Sequence, residues 1–329
     1  MRFIIYGAGG IGGTIGGRLF QQGFDVVLIA RGEHGSVLQH RGLRLLAPDG
    51  DFTLPVPTVT HPRELSWRAD DLVLMAMKSQ HTVAALEDLL ACAPPDIGIV
   101  CAQNGVANER MALRRFRRVY GMLVHLPAQH LQPGEVVTHA SGRGGILDTG
   151  RYPHGVDDAC RALMAALEQA GFSAQPDPRV MRLKYAKLLQ NLNNALQAAT
   201  DMKGESRDIS RLLKREALAC FAAAGIDCAS VDEFRARHDG VYGMADVPGH
   251  PRGGGSSWQS LMRGTGNIEA DHLNGEIVLL GRLHGVATPA NEVCQAVARR
   301  MANERLAPGS FAAAELLAQI GQTVENHHG

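Results

Sequence analysis

The chain has 329 residues, enough for two domains of ordinary size, and its 45% hydrophobic and 20% charged content is a globular balance, not a disordered one. Its 33 lysines and arginines equal its 33 aspartates and glutamates, so the basic excess of a duplex nucleic-acid binder is missing. No apolar run approaches the ~20 residues of a membrane span, and the six cysteines, with no C-x-x-C pair, read as reduced thiols of a cytoplasmic protein, giving neither a disulfide nor a zinc framework.

Taken in order, the first half alternates strand and helix signals. Arg2–Tyr6 reads as a short buried strand rather than a signal peptide, because no small-residue cleavage site follows it. A helix pattern runs on to Gln22 and closes at Gly23, and Asp25–Ile29 is a second strand. His34–His40 is weakly helical. Leu43–Leu46 and Phe52–Leu54 flank Asp49-Gly50, a hairpin turn signal. Asp71–Met77 is an unbroken apolar strand of the kind a parallel sheet buries on both faces. The helix Thr82–Ala91, the strand Ile97–Cys101 and the helix Asn108–Phe116 follow, and the strands Val119–Val124, Glu135–His139 and Gly145–Leu147 are expected to extend the sheet as a mixed one. This β-α-β alternation predicts an α/β, doubly wound sheet.

The helix Asp157–Ala170 and the strand Phe172–Ala174 lead to Gln175-Pro176-Asp177-Pro178, which reads as a linker. Beyond it the patterns are helical: Val180–Thr200, Ser210–Ala224, Val231–Arg237, Trp258–His284 and Asn291–Leu306. The expected division is 1–176 and 177–329, the second domain all-helical. Val247–Ser257 reads as a flexible loop. The apolar surface of Trp258–His284 suits either a homodimer contact or the core. The 14 histidines show no H-E-x-x-H spacing, so no metal is expected, and His327 and His328 read as a disordered tail.

Gly7-Ala8-Gly9-Gly10-Ile11-Gly12 is a G-x-G-x-x-G that leaves a strand and opens a helix. In that context Gly7 makes the turn, Gly9 lets backbone approach a pyrophosphate, and Gly12 lets helix and strand pack closely. The helix N-terminus offers N–H donors to the anion. The second strand ends Leu28-Ile29-Ala30-Arg31 with no acid for ribose hydroxyls. Arg31 is either a solvated loop residue or a cation for a 2′-phosphate, which selects NADP(H). On the segment Met181–Thr200, Lys187, Asn191 and Asn194 are spaced i, i+4, i+7, one face of a helix. Lys187 is either a solvated charge or a general acid beside neutral amides, and Lys184 one turn earlier competes for that role. Glu269 is either an acid at a helix start or a site acid. The loop Arg252–Ser257, with small residues, hydroxyls and one arginine, suits a carboxylate-bearing ligand. Lys78, Gln80 and Asn104 follow apolar strands, where ligands of open α/β sheets bind, or are plain loop polars.

Together these pieces resemble the ketopantoate reductase (2-dehydropantoate 2-reductase) family over nearly the whole chain. The matching segments are GAGGIG at Gly7–Gly12, Arg31, MKSQ at Met77–Gln80, QNG at Gln103–Gly105, KLLQN at Lys187–Asn191, SSWQSLMRGTGNIEADHLNG at Ser256–Gly275 and HGVATPAN at His284–Asn291. The resemblance implies an NADP-binding Rossmann domain, a helical domain and a cytoplasmic enzyme that transfers hydride from NADPH to the C2 keto carbon of a small-molecule 2-keto acid, in the biosynthesis of pantothenate and coenzyme A. It implies Lys187 as general acid and Glu269 as the acid on the substrate hydroxyl. It places Asn104 near nicotinamide and substrate, Asn191 on the substrate, Ser257 on its carboxylate, and Lys78 near cofactor and substrate. The chain departs from the family pattern at Ala195, where a second asparagine followed by proline is usual. Asn194 stands one residue early and is carried as a substrate residue, as is Arg252, in the Pro251–Gly255 run that the pattern lacks. Three alternatives stand beside 2-dehydropantoate reduction: an NADP-dependent reductase of another 2-keto acid, a β-hydroxyacid dehydrogenase-like enzyme with its own K-x-x-x-N helix, and a non-catalytic NADP-binding sensor.

Overall fold

Beyond their first residues, among them the paired Arg2 and Asp71, the central strands of the first half carry an unbroken apolar run, and a parallel sheet covered on both faces buries it. The computed structural model describes the chain apart from Thr265, Asn267 and Gly329 and the side chains of residues 326–328, so the side chains of His327 and His328 and part of the Ser256–Gly275 match lie outside the described residues. In chain order the elements are β1 (Arg2–Tyr6), α1 (Gly10–Gln21), β2 (Val26–Ile29), α2 (Gly32–Arg41), β3 (Leu43–Ala47), β4 (Gly50–Leu54), β5 (Thr58–Val59), β6 (Asp71–Met75), α3 (Thr82–Leu90), β7 (Gly98–Cys101), α4 (Asn108–Leu113) and β8 (Arg118–Met122). Then come β9 (Ala128–Gln129), β10 (Glu135–Thr138), β11 (Ala140–Ser141), β12 (Thr149–Arg151), α5 (Asp158–Gln169), α6 (Val180–Asn191), α7 (Asn193–Thr200), α8 (Ser206–Ala223), α9 (Val231–His238) and β13 (Gly243–Met244). The chain closes with α10 (Ser256–Met262), α11 (Asn274–His284), α12 (Pro289–Glu304) and α13 (Ala313–His328).

The chain forms two compact units. The first comprises Met1–Lys184 with Ser230–Arg252, the second Tyr185–Ala229 with Gly253–Gly329. In the first, a seven-stranded sheet has the order β12-β8-β7-β6-β1-β2-β5, parallel except for β12. Alternate residues of each strand enter opposite cores. Phe3, Ile5, Leu28, Leu72 and Leu74 pack with Ile15 and Leu19 of α1 and Leu163 and Leu167 of α5. Ile4, Tyr6, Ile29, Val73 and Met75 pack with Leu86 and Leu89 of α3 on the other side. The doubly wound α/β architecture expected from the alternation is therefore present, with a helical second unit.

A four-stranded sheet, β4-β3-β10-β9, covers the far side of α1. The hairpin forms as expected, pairing Leu43 with Leu54 and Ala47 with Gly50. α1 is squeezed between the two sheets, and its glycines make that possible. A Cβ at Gly16 would come 2.8 Å from Leu28 of one sheet, and one at Gly13 2.8 Å from Val136 of the other. Each helix-interior glycine costs about 1 kcal/mol against alanine, and here close packing offsets it.

Several expected elements differ. Gly145–Leu147 is not a strand but two isolated bridges at Ile146, to His125 and Ser173, and the antiparallel edge strand is β12. Gln175–Pro178 is pinned to β12, with the Thr149 amide on Gln175 O (3.1 Å) and the Asp177 amide on Thr149 O (2.9 Å). The unit boundary falls inside α6, between Lys184 and Tyr185. The expected helix Val180–Thr200 breaks at Leu192, whose carbonyl accepts from Asn274 Nδ2 at 3.2 Å. The expected helix Trp258–His284 is three pieces, α10, a 3₁₀ turn Glu269–His272 and α11. Gly264 and Gly266, at φ +60° and +65°, end the first, since no right-handed helix continues through that conformation. The last helix, α13, was not expected.

The segment Ser230–Arg252 joins the first unit through specific polar contacts. Ser230 and Glu233 form a capping box at α9. Arg182 binds Glu233 at 2.9 Å, and Arg237 grips the buried Asp148 with two hydrogen bonds of 2.6 and 2.5 Å. β13 then pairs with β11. In the second unit, Glu216 of α8 accepts from the Ala290 and Asn291 amides (2.8 and 3.0 Å) and from Asn291 Nδ2 (2.8 Å). A buried carboxylate thereby satisfies N–H groups that the first turn of α12 leaves unpaired.

Candidate active site

In the first unit the relevant residues gather at the carboxyl ends of the parallel strands. α1 departs from β1 toward β2, while β6 lies on the other side of β1, the switch point where such sheets bind ligands. Gly7, at φ +99°, makes the turn out of β1, and a Cβ there would come 2.7 Å from Met77 N. A Cβ at Gly12 would collide with Gly7 O and approach Ile5. Gly9 is different. Its φ of −71° is open to any residue, and an added Cβ would meet only His130 Cδ2 at 4.0 Å. Protein packing supplies no reason for glycine at 9, whereas close approach by a bound phosphate does. Ala8 completes the turn, and Gly10 and Ile11 open α1 with unpaired amides of the first turn. Arg31 caps the start of α2, exposed and without an ion-pair partner among the described residues.

Beyond β6 and β7 a buried network ties two loops together. Gln103 Nε2 donates to Met77 O and Thr82 Oγ1, both at 2.8 Å. Thr82 Oγ1 donates to Asn108 Oδ1 (2.9 Å), and Asn108 Nδ2 reaches Ser79 Oγ and Asn104 O, both at 3.1 Å. This network fixes the loops that carry Lys78, Gln80 and Asn104, all half-buried. Thr82 and Asn108 were not singled out from sequence, because two residues far apart in the chain reveal their pairing only in the fold.

The two competing lysines of α6 separate clearly. Lys184 is buried, paired with Glu109 at 2.7 Å, and donates to Gln103 O (2.9 Å) and Met122 O (3.0 Å). Its charge is spent in holding structure. Lys187 lies in the second unit, half-buried, with Gln190 Oε1 3.2 Å from its Nζ. Burial pushes its ammonium down to about 8.

Around Lys187, Asn191 is buried on the next turn of α6. Asn194 is not on the same helix as expected, because of the break at Leu192. From α7 its Nδ2 donates to Ser256 Oγ (3.3 Å), and Gln197 Oε1 accepts from the Gly255 amide (2.8 Å). These two amides hold the start of α10, and the next residue, Ser257, is 1% exposed with an Oγ that finds no partner among the described residues. A buried orphan hydroxyl costs about 1–3 kcal/mol, which a bound acceptor would recover. Glu269 is not a solvated helix-start acid. It is buried in the 3₁₀ turn against α11 and α12, and its charge acts on the neighbouring Arg263. Arg252 belongs to the first unit, half-exposed, with Asp246 3.2 Å from its guanidinium.

Comparison with known proteins bears on what this arrangement is. The family model described as ketopantoate reductase PanE/ApbA matches residues 3–152, and the model of that family's C-terminal domain matches residues 179–302. The chain belongs to the ketopantoate reductase family. It is 27% identical to the 2-dehydropantoate 2-reductase of Pyrococcus horikoshii, across 94% of this chain and 100% of that one. Its identity to the Mesorhizobium japonicum enzyme of the same name is also 27%, across 93% and 99%. Among solved structures it resembles the PanE/ApbA family ketopantoate reductase from Ralstonia eutropha JMP134, with TM-score 0.77, 28% identity and coverage of 93% and 99%. D-mandelate dehydrogenase, solved with NADH and anilino(oxo)acetate, shares the fold at TM-score 0.79 and 21% identity, across 93% and 100%. As a ketopantoate reductase family member the chain is an oxidoreductase by kinship. Asn274 and Asn291, which lie in family-matching segments, serve the scaffold: Asn274 Nδ2 binds Asn291 Oδ1 at 3.1 Å, both fully buried. Among the described residues no helix is long and apolar enough to cross a membrane, and no cluster of three metal-ligating side chains occurs.

Proposed function

We propose that the protein reduces 2-dehydropantoate to pantoate with NADPH. The observation that carries this reading is the division of labour on α6, where Lys184 is bound to Glu109 while burial brings Lys187 to about 8. A lysine in that range is protonated near neutral pH yet gives up its proton readily, as a general acid must. The cradle fits a dinucleotide, since Gly9 is glycine without a packing reason and Arg31 is a cation without an acid at the tip of β2. Arg31 favours a 2′-phosphate, hence NADP(H) over NAD(H).

When bound, the nicotinamide supplies hydride to the C2 keto carbon. This chain's residues do the rest. Lys187 Nζ gives its proton to the carbonyl oxygen as negative charge develops there, and its own charge stabilises that oxygen beforehand. Ser257 Oγ donates to the substrate carboxylate. Glu269 accepts from the substrate hydroxyl, Asn191 and Asn104 orient the keto acid, and Lys78 serves cofactor and substrate. The test is NADPH oxidation at 340 nm with 2-dehydropantoate beside other 2-keto acids. Turnover that falls at least 100-fold in Lys187→Ala supports the reading. Turnover confined to a different 2-keto acid overturns the substrate, and turnover that survives in Lys187→Ala overturns the acid.

A further inference from the structure

A pair of histidines lies against the glycine loop, and the proposed reaction does not use either of them. His34, on the first turn of α2, has its Nδ1 2.8 Å from the Gly134 amide and its Nε2 2.8 Å from Ala8 O. An amide only donates, so Nδ1 is the acceptor and the ring proton sits on Nε2, donating to Ala8 O. The ring is therefore neutral, and burial, which lowers its proton affinity, keeps it so. His130 lies against it, with ring centroids 4.2 Å apart and ring planes tilted by 49°, and its own Nδ1 is 2.9 Å from Glu135 O. The edge of His130 is what a side chain at Gly9 would meet.

Ala8 O and the Gly9 amide belong to one peptide plane. In a trans peptide the C=O and N–H point in opposite directions. Pinning the carbonyl on His34 therefore aims the Gly9 N–H the other way, among the unpaired amides that open α1. We infer that His34 is a positioning residue for the dinucleotide: through its hydrogen bond to Ala8 O, braced by Gly134 and His130, it presets the Gly9 amide toward the cofactor's pyrophosphate. This inference rests on reading the glycine loop as the cofactor cradle.

The test is NADPH titration of the full-length protein by fluorescence, with thermal melting of the cofactor-free variants as a control. His34→Ala is expected to raise the NADPH Kd about tenfold, the effect of losing one preset hydrogen bond. His34→Gln, which keeps an N–H donor for Ala8, should stay within about threefold of the parent. The kcat at saturating NADPH and the KM for the keto acid should not move, because His34 touches neither. If both variants melt earlier but bind NADPH like the parent, His34 is only structural and the inference falls while the cradle reading stands. If His34→Gln binds as weakly as His34→Ala, the donor is not the cause and the inference is again overturned. If the parent binds neither NADPH nor NADH, the cradle reading itself fails and the inference with it.

Discussion

Lys184 and Lys187 sit one turn apart on α6, and their surroundings decide what each can do. Glu109 ties Lys184 into a buried ion pair at 2.7 Å, whereas desolvation lowers Lys187 to about 8. A general acid must be protonated at the moment of reaction, so the rate of keto-acid reduction should decline as pH rises through about 8; a flat kcat from pH 6 to pH 10 would contradict that role for Lys187. Arg31→Ala should lower the NADPH over NADH preference in kcat/KM by at least tenfold, leaving the NADH rate nearly unchanged, because only a 2′-phosphate depends on that guanidinium. Sequence alone left the two lysines in competition. The residue that separates them, Glu109, is 75 positions before Lys184 and belongs to another helix, so spacing along α6 carried no trace of it. Arg252 is a different case: its pair with Asp246, six residues away, is exposed and leaves much of the guanidinium open to solvent.

At the scale of elements, the apolar strands and the turn after β1 were legible because their signal is local: continuous burial needs continuous apolar residues, and the glycine spacing sits at one strand-to-helix junction. The helices of the second unit were less so. A periodic pattern does not show where a carbonyl finds a side-chain donor, as Leu192 does in Asn274, or where Gly264 and Gly266 turn the chain. α1 offers the sharpest test of local against tertiary preference. Helix propensity favours alanine over glycine by about 1 kcal/mol, yet Gly16 lies where a Cβ would press on Leu28 at 2.8 Å and Ile5 at 3.1 Å. Gly16→Ala should therefore lower stability by about 1–3 kcal/mol in urea unfolding, the range for overpacking. A stabilised variant would mean that Leu28 and Ile5 yield. On α8, Glu216→Ala strands three buried donors and should cost about 3 kcal/mol or more, read as an earlier melt.

For the whole molecule, the first unit is discontinuous: it takes in Ser230–Arg252 from beyond the start of the second. Asp148, buried at 1% exposure, has its ion-pair partner in Arg237. Arg237→Leu leaves that carboxylate without its cation, and breaking a buried pair costs about 3–5 kcal/mol. A fragment ending at residue 176 carries the same defect, and should melt below the full chain and bind a dye for exposed apolar surface. The arrangement also sets a timetable. Arg237 follows Asp148 by 89 residues, and at about 5–20 residues per second a ribosome needs roughly 4–18 s to make that stretch. Throughout this interval the nascent sheet must tolerate an unmatched carboxylate, while α7 and α8 have already been synthesised. The two units are therefore synthesised in an interleaved order, and the first begun waits for Arg237, which follows α7 and α8 of the second.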